Sequence, residues 1–125
     1  MNKIKNYSTS VSAERSIAEI EKILAMFGVE GIAKEYCGEQ VRSLSFKLEN
    51  RIFKLPANAN GVREAIFAGK RKYYGRDTMK KRDDRAYNVA WRIIKDWIHA
   101  QLSLIASGQA HPQEIFFPYM FDGQR

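Results

Sequence analysis

Eight Lys or Arg and two adjacent tyrosines crowd into "GKRKYYGRDTMKKRDDR", residues 69–85, against three Asp. Cations at this density hold phosphates by charge, and a neighbouring ring offers a face on which a base can stack. Lys70, Arg71, Lys72 and Arg76 flank Tyr73 and Tyr74 in this manner. Further along, Lys81, Arg85, Asn88, Arg92, Lys95 and His99 recur at spacings of three and four. On a helix they project within about 40° of one another and extend over roughly 27 Å, at 1.5 Å per residue. Four cations, an amide and an imidazole in one stripe make a ladder suited to phosphates. The competing reading is an ordinary solvated helix face. Asp83, Asp84 and Asp96 lie near enough to neutralise part of the stripe, and exposed tyrosines often cover the edge of a core.

Regional charge favours the binding reading. Residues 1–50 carry seven Lys/Arg against seven Glu, residues 51–100 carry thirteen against five acids, and residues 101–125 carry one against two. The formal net charge of +7 therefore belongs to the middle of the chain. Such asymmetry is the usual footprint of an anionic partner.

Catalytic and metal chemistry find little support. His99 and His111 are the only histidines, and Cys37 is the only cysteine, beside a predicted turn. His111 with Glu114 is the nearest approach to a metal pattern, and such a pair arises easily by chance. "GVREAIFAGK" ends in Gly-Lys without the spacing or the following Ser/Thr of a phosphate-binding loop. No catalytic residue, metal ligand or cofactor is assigned. A single cysteine forms no internal disulfide, and no apolar run approaches the roughly 20 residues of a membrane span, so a cytoplasmic protein that does not enter the membrane is expected.

The elements that must position these residues follow from periodicity. At 125 residues with 45% hydrophobic content, the chain suits one compact domain. "SAERSIAEIEKILAMFG" predicts a first helix, capped by Ser10 or Ser12 and stopped at Gly28, with Ile17, Ile20, Ile23, Leu24 and Phe27 on one face. "GIAKEYC", "VRSLSFKLE" and "IFKLP" then alternate with period two and predict an antiparallel meander. A turn at Asn50 and Arg51 sets Leu48 opposite Phe53 and Phe46 opposite Leu55. "GEQ" permits a loop of two or three residues, which leaves the first hairpin's register open. After Pro56, a short helix begins near Asn58 or Asn60, with Val62, Ile66 and Phe67 as its inward candidates.

The longest element spans about Thr78 to Ala106, capped by Asp77 and stopped at Gly108. Its apolar positions cover roughly 220° of the wheel, the signature of a central helix contacted on several sides. Gln101 falls within that arc and needs a partner, either backbone at a strand end or a group from a pocket or a second copy. Pro112 suits the first turn of a terminal helix that brings in Phe116, Phe117, Tyr119 and Phe121. These aromatics either fold over the core or form an interface for self-association or for another protein. The fold class is α+β: an N-terminal helix, a three-stranded antiparallel meander, then C-terminal helices including one long central helix.

"YSTSVSAERSIAEIEKIL", "LSFKLENRIFKLPAN" and "AYNVAWRIIKDWIHAQLSLIASGQA" followed by "FFPYM" resemble a family of small proteins carried by phages, prophages and other mobile elements of bacteria. The most specific part is the succession at Ala90 to Arg92, Lys95 to Trp97 and Ala100 to Leu102. The resemblance covers most of the chain and departs most between Lys70 and Lys81. It implies no active site. It implies a viral or mobile-element setting in a host cytoplasm, where small non-enzymatic proteins act by stoichiometric binding, including in anti-defence roles. The expected function is that of a non-enzymatic protein holding an anionic nucleotide or nucleic acid. The alternative is an interaction module that binds and inhibits a host protein, or self-associates, through its aromatic C-terminal segment.

Overall fold

Ser12 ends the irregular start of the described chain because its hydroxyl accepts the Arg15 N–H at 3.2 Å, satisfying one of the amides a helix start leaves unpaired. The computed structural model describes residues 11–67 and 76–120. Helix α1 spans Ala13–Phe27, strands β1, β2 and β3 span Gly31–Cys37, Gln40–Leu48 and Arg51–Pro56, and helices α2, α3 and α4 span Ala59–Phe67, Arg76–Ala106 and Pro112–Phe116. A 3-10 turn, Phe117–Tyr119, follows. The α+β order expected from periodicity holds throughout.

Helix ends follow the local chemistry of the sequence. Gly28 takes a φ of 95°, and Val29 N–H reaches back to Leu24 O at 3.2 Å, closing α1 in a way a side chain at residue 28 would strain. Asn58 caps α2, its Oδ1 accepting the Gly61 N–H at 2.9 Å. A Cβ on Gly61 would meet Asn58 Nδ2 at 2.7 Å, so the cap and the glycine belong together. Helix α3 is described from Arg76, which puts Asp77 inside its first turn and not at the cap. Side-chain pattern places a helix end only to within a residue or two, and the expected start at Thr78 falls within that margin. The side chains of Ile66 and Phe67 lie outside the described residues.

The sheet runs β1-β2-β3, all antiparallel. Its second hairpin corrects the expected register. The turn is Glu49 and Asn50, at φ 53° and 64°, and not Asn50 and Arg51. Leu48 therefore faces Arg51, Phe46 faces Phe53 and Leu44 faces Leu55. Moving a two-residue turn by one position slides the strands by two, which leaves the apolar face unchanged; burial cannot distinguish the two pairings. The observed turn takes the positive φ that a two-residue hairpin of this hand requires at both central residues, and Asn50, which tolerates it, belongs to either alternative. Asn50 N–H gains a further acceptor in Glu30 Oε1 at 3.2 Å. In the first hairpin Cys37 faces Gln40 across Gly38 and Glu39, and Arg42 is an extra, unpaired residue between the Tyr36/Val41 and Glu35/Ser43 pairs.

The chain divides into two compact units. The first joins α1 as far as Ala18 with α2 and with α3 as far as Lys95. Ala13, Ile17, Ala86, Tyr87, Val89, Ala90 and Trp91 are buried apolar residues of this unit, with Trp91 wholly enclosed. The second joins Glu19–Pro56 with the chain from Asp96 onward. Here Phe116 is fully buried among Phe46, Phe53 and Trp97, with ring centroids 5.2, 5.5 and 5.9 Å away. Tyr119 lies edge-on to Trp97 at 5.3 Å, and Met120 pairs with Phe53 along the free side of β3. His111 caps α4, its Nδ1 accepting Gln113 N–H at 3.2 Å, with Pro112 in the first turn as expected.

Lys34 Nζ donates to Glu21 Oε1 at 2.9 Å, and this bond raises the lysine above its ordinary value of 10.5. A group whose pKa rises on folding contributes stability that is complete below its unfolded pKa and is lost as pH climbs through the folded one. The stability difference between the wild type and Glu21→Gln in chemical denaturation is therefore expected to be constant up to about pH 10 and to shrink above it. Phe116→Ala is expected to cost about 3–5 kcal/mol by the same measurement, since it empties a ring-sized volume in a closed aromatic cluster.

Candidate cationic surface on the long helix

Helix α3 carries Lys81, Arg85, Asn88, Arg92 and Lys95 in the first unit and His99 in the second. Their environments differ. Lys81 and Arg85 are exposed, as is Lys80 beside them, which the stripe omitted. Lys80 and Lys81, both exposed, widen the cationic surface of the helix.

Asn88 is half-buried and already engaged. Its Oδ1 accepts the backbone N–H of Ala13 at 2.8 Å, across 75 residues of sequence. Ala13 is the first residue of α1, so its amide has no partner within its own helix. The stripe's amide thus caps a second helix. Arg92 and Lys95 are half-buried and interact with other groups of the protein. His99 lies in the second unit and is exposed; its carbonyl oxygen accepts the Ser103 hydroxyl at 2.8 Å. Lys70, Arg71, Lys72, Tyr73 and Tyr74 lie outside the described residues, as does the side chain of Arg76.

The acids expected to quench the stripe are disposed unequally. Asp83 Oδ1 lies 2.8 Å from Arg63 Nε of α2, so the partner it neutralises comes from outside the stripe. Asp84 is exposed, and Asp96 is half-buried with an interaction inside the protein. The Arg63–Asp83 pair could not be read from the sequence, because nothing in the spacing of α2 fixes its position on α3. The glutamates of the sheet are occupied locally. Glu35 Oε1 lies 3.7 Å from Lys54 Nζ and 3.9 Å from Arg42 Nε, and accepts weakly from Ser43 Oγ at 3.4 Å, while Glu30 lies 3.7 Å from Lys47. The facing of Glu35 and Ser43 depends on the bulge at Arg42, without which the two-residue loop would set Glu35 opposite Arg42.

Of the C-terminal aromatics, Phe116 belongs to the core, Tyr119 is half-buried against Trp97, and Phe117 is 63% exposed. Phe121 lies outside the described residues. Gln101 is half-buried. A shallow apolar groove crosses the sheet, lined by Gly31, Ala33, Ser45, Lys47 and Ile52. Among the described residues, no three His, Cys, Asp or Glu are grouped as a metal would require, and no helix is long and apolar enough to cross a membrane.

No protein-family model matches the chain, and neither a curated protein nor a solved structure proves similar to it.

Asn88→Ala leaves the Ala13 amide without its acceptor, and is expected to lower stability by about 1–3 kcal/mol, the cost of stranding a sheltered donor. Lys81→Ala on the exposed side of the same helix is expected to change stability by less than about 0.5 kcal/mol. Thermal or denaturant unfolding of the two variants checks both.

Proposed function

We propose that the protein is a non-enzymatic binding protein that holds a phosphate-bearing ligand, a nucleotide or a nucleic acid, on the cationic face of α3. The observation that carries this reading is the exposure of Lys80, Lys81 and Arg85 together with the withdrawal of Asp83 to Arg63. Three cations within two turns then face solvent, and of the two exposed carboxylates among them, Asp83 and Asp84, the first is paired to Arg63. Arg76 and the tract from Lys70 to Tyr74 adjoin this face in sequence and extend the cationic run, and the two tyrosines add rings for stacking. Arg92 and Lys95, which have partners inside the protein, serve the ligand less directly than Lys81 and Arg85. The resemblance to mobile-element proteins fits stoichiometric capture of such a ligand in a host cell, including a signalling nucleotide.

One observation favours a second reading. Phe117 is presented to solvent on a turn anchored by Phe116 and Tyr119, as a docking ring for another protein would be. Removing the whole segment is a poor test, because Phe116 is part of the core; Phe117→Ser changes the surface alone.

Fluorescence anisotropy with labelled single-stranded DNA, RNA and cyclic nucleotides, over a salt series, tests the first reading. Binding at low salt is expected to weaken linearly on a double-logarithmic plot, and Lys81→Glu with Arg85→Glu is expected to reduce both affinity and slope, by about one slope unit for each phosphate no longer held. No binding across the panel at low salt overturns it.

A further inference from the structure

The two sides of the sheet are finished differently. On β3 the outer side carries Met120, paired to Phe53, with Arg51 Nη1 lying 3.6 Å from Met120 Sδ. On β1 the outer side has no partner among the described residues, and all seven residues from Gly31 to Cys37 are exposed. An unpaired strand of this length offers a row of amides and carbonyls to an incoming strand, and β1 contains neither a proline nor a bulge of its own to prevent it.

We propose that this edge pairs with β1 of a second copy, antiparallel about a two-fold axis through Lys34, joining two three-stranded sheets into one of six strands. Symmetry restricts the choices. When a sheet continues across a perpendicular two-fold, a residue faces a residue of the same face, so the axis must pass through a single residue paired with itself. Centred on Lys34, the pairing sets Ile32 against Tyr36 of the other copy, twice, on one face. These are two of the large apolar side chains the protein leaves in solvent, 36% and 56% exposed. On the other face Ala33 meets Glu35, and at the ends Gly31 meets Cys37, so a small residue stands opposite a larger one each time.

The central contact does not bring two bare ammonium groups together. Each Lys34 is bonded to Glu21 at 2.9 Å, and the hydroxyl of Tyr36 also supports its charged form. Two neutralised pairs meet instead. The adjacent registers lose this match. Centring on Ala33 sets Ile32 against the Lys34 ammonium, and centring on Glu35 sets Tyr36 against it. A single added strand pair is a small interface, so a weak, concentration-dependent dimer is expected. This inference is independent of anion binding by α3.

Sedimentation velocity from micromolar to millimolar protein, together with a nitroxide on Cys37, tests it. Cys37 is the only cysteine and would lie opposite Gly31, which leaves room for the label. In the Lys34 register the two labelled backbones are six strand residues apart, about 20 Å; centring on Glu35 gives about 13 Å and on Ala33 about 26 Å. A dimer with a spin–spin distance near the first value, converted to monomer by Tyr36→Glu and retained in Tyr36→Phe, is the expected result. Circular dichroism of the Tyr36→Glu variant shows whether the fold is intact, and Ile32→Glu supplies an independent disruption should it not be. A monomer at every concentration, a distance belonging to another register, or a dimer indifferent to both charge substitutions overturns the proposal.

Discussion

Phe116 is the side chain on which the second unit turns. It is fully enclosed by Phe46 and Phe53 of the sheet and Trp97 of α3, and it arrives from a helix of only five residues. So short a helix has almost no stability of its own. Its persistence rests on the ring it delivers and on the ends that hold it, the His111 cap at the start and the Met120 pairing beyond. The terminal segment is therefore a wall of the core, and closing it requires contact between residues more than sixty positions apart. Formation of the unit must wait on that long closure, whatever the speed of the local hairpins.

The polar side of α3 performs two kinds of work that its sequence does not separate. Asn88 satisfies the first amide of α1, and Arg92 and Lys95 are drawn into interactions within the protein, whereas Lys81 and Arg85 remain in solvent. A stripe that looks uniform on a helical wheel is thus divided along its length. The exposed cations of the stripe, Lys81 and Arg85, lie in the part nearest Arg76.

Local features were legible in the sequence wherever the chemistry that creates them is local. Ser12, Gly28, Asn58 and Pro112 announce helix ends because a cap or a stop depends on its immediate neighbours. The three strands announce themselves through alternation, and in the second hairpin the apolar face agrees with the one expected. Its register does not, since a slide of two residues changes every pair while keeping each side chain on its face. Asn88 fell correctly on the polar side of α3, yet its partner is a backbone amide 75 residues away, and side-chain periodicity carries no record of such an encounter. The terminal aromatics were read as either core or interface. Hydrophobicity is the same for both, and the split of Phe116 inward and Phe117 outward depends on the turn of the chain between them.

Met120 bridges to Phe53 on the outer side of β3, whereas Gly31–Cys37 has no strand on its outer side among the described residues. A slab with two raw margins can recruit neighbours without limit, each newcomer exposing a fresh margin for the next, which is the geometry of a fibril. Here a strand arriving at Phe53 meets a position that Met120 already fills. The methionine that settles against β3 is thus also an obstacle, at that point, to the stacking of further copies.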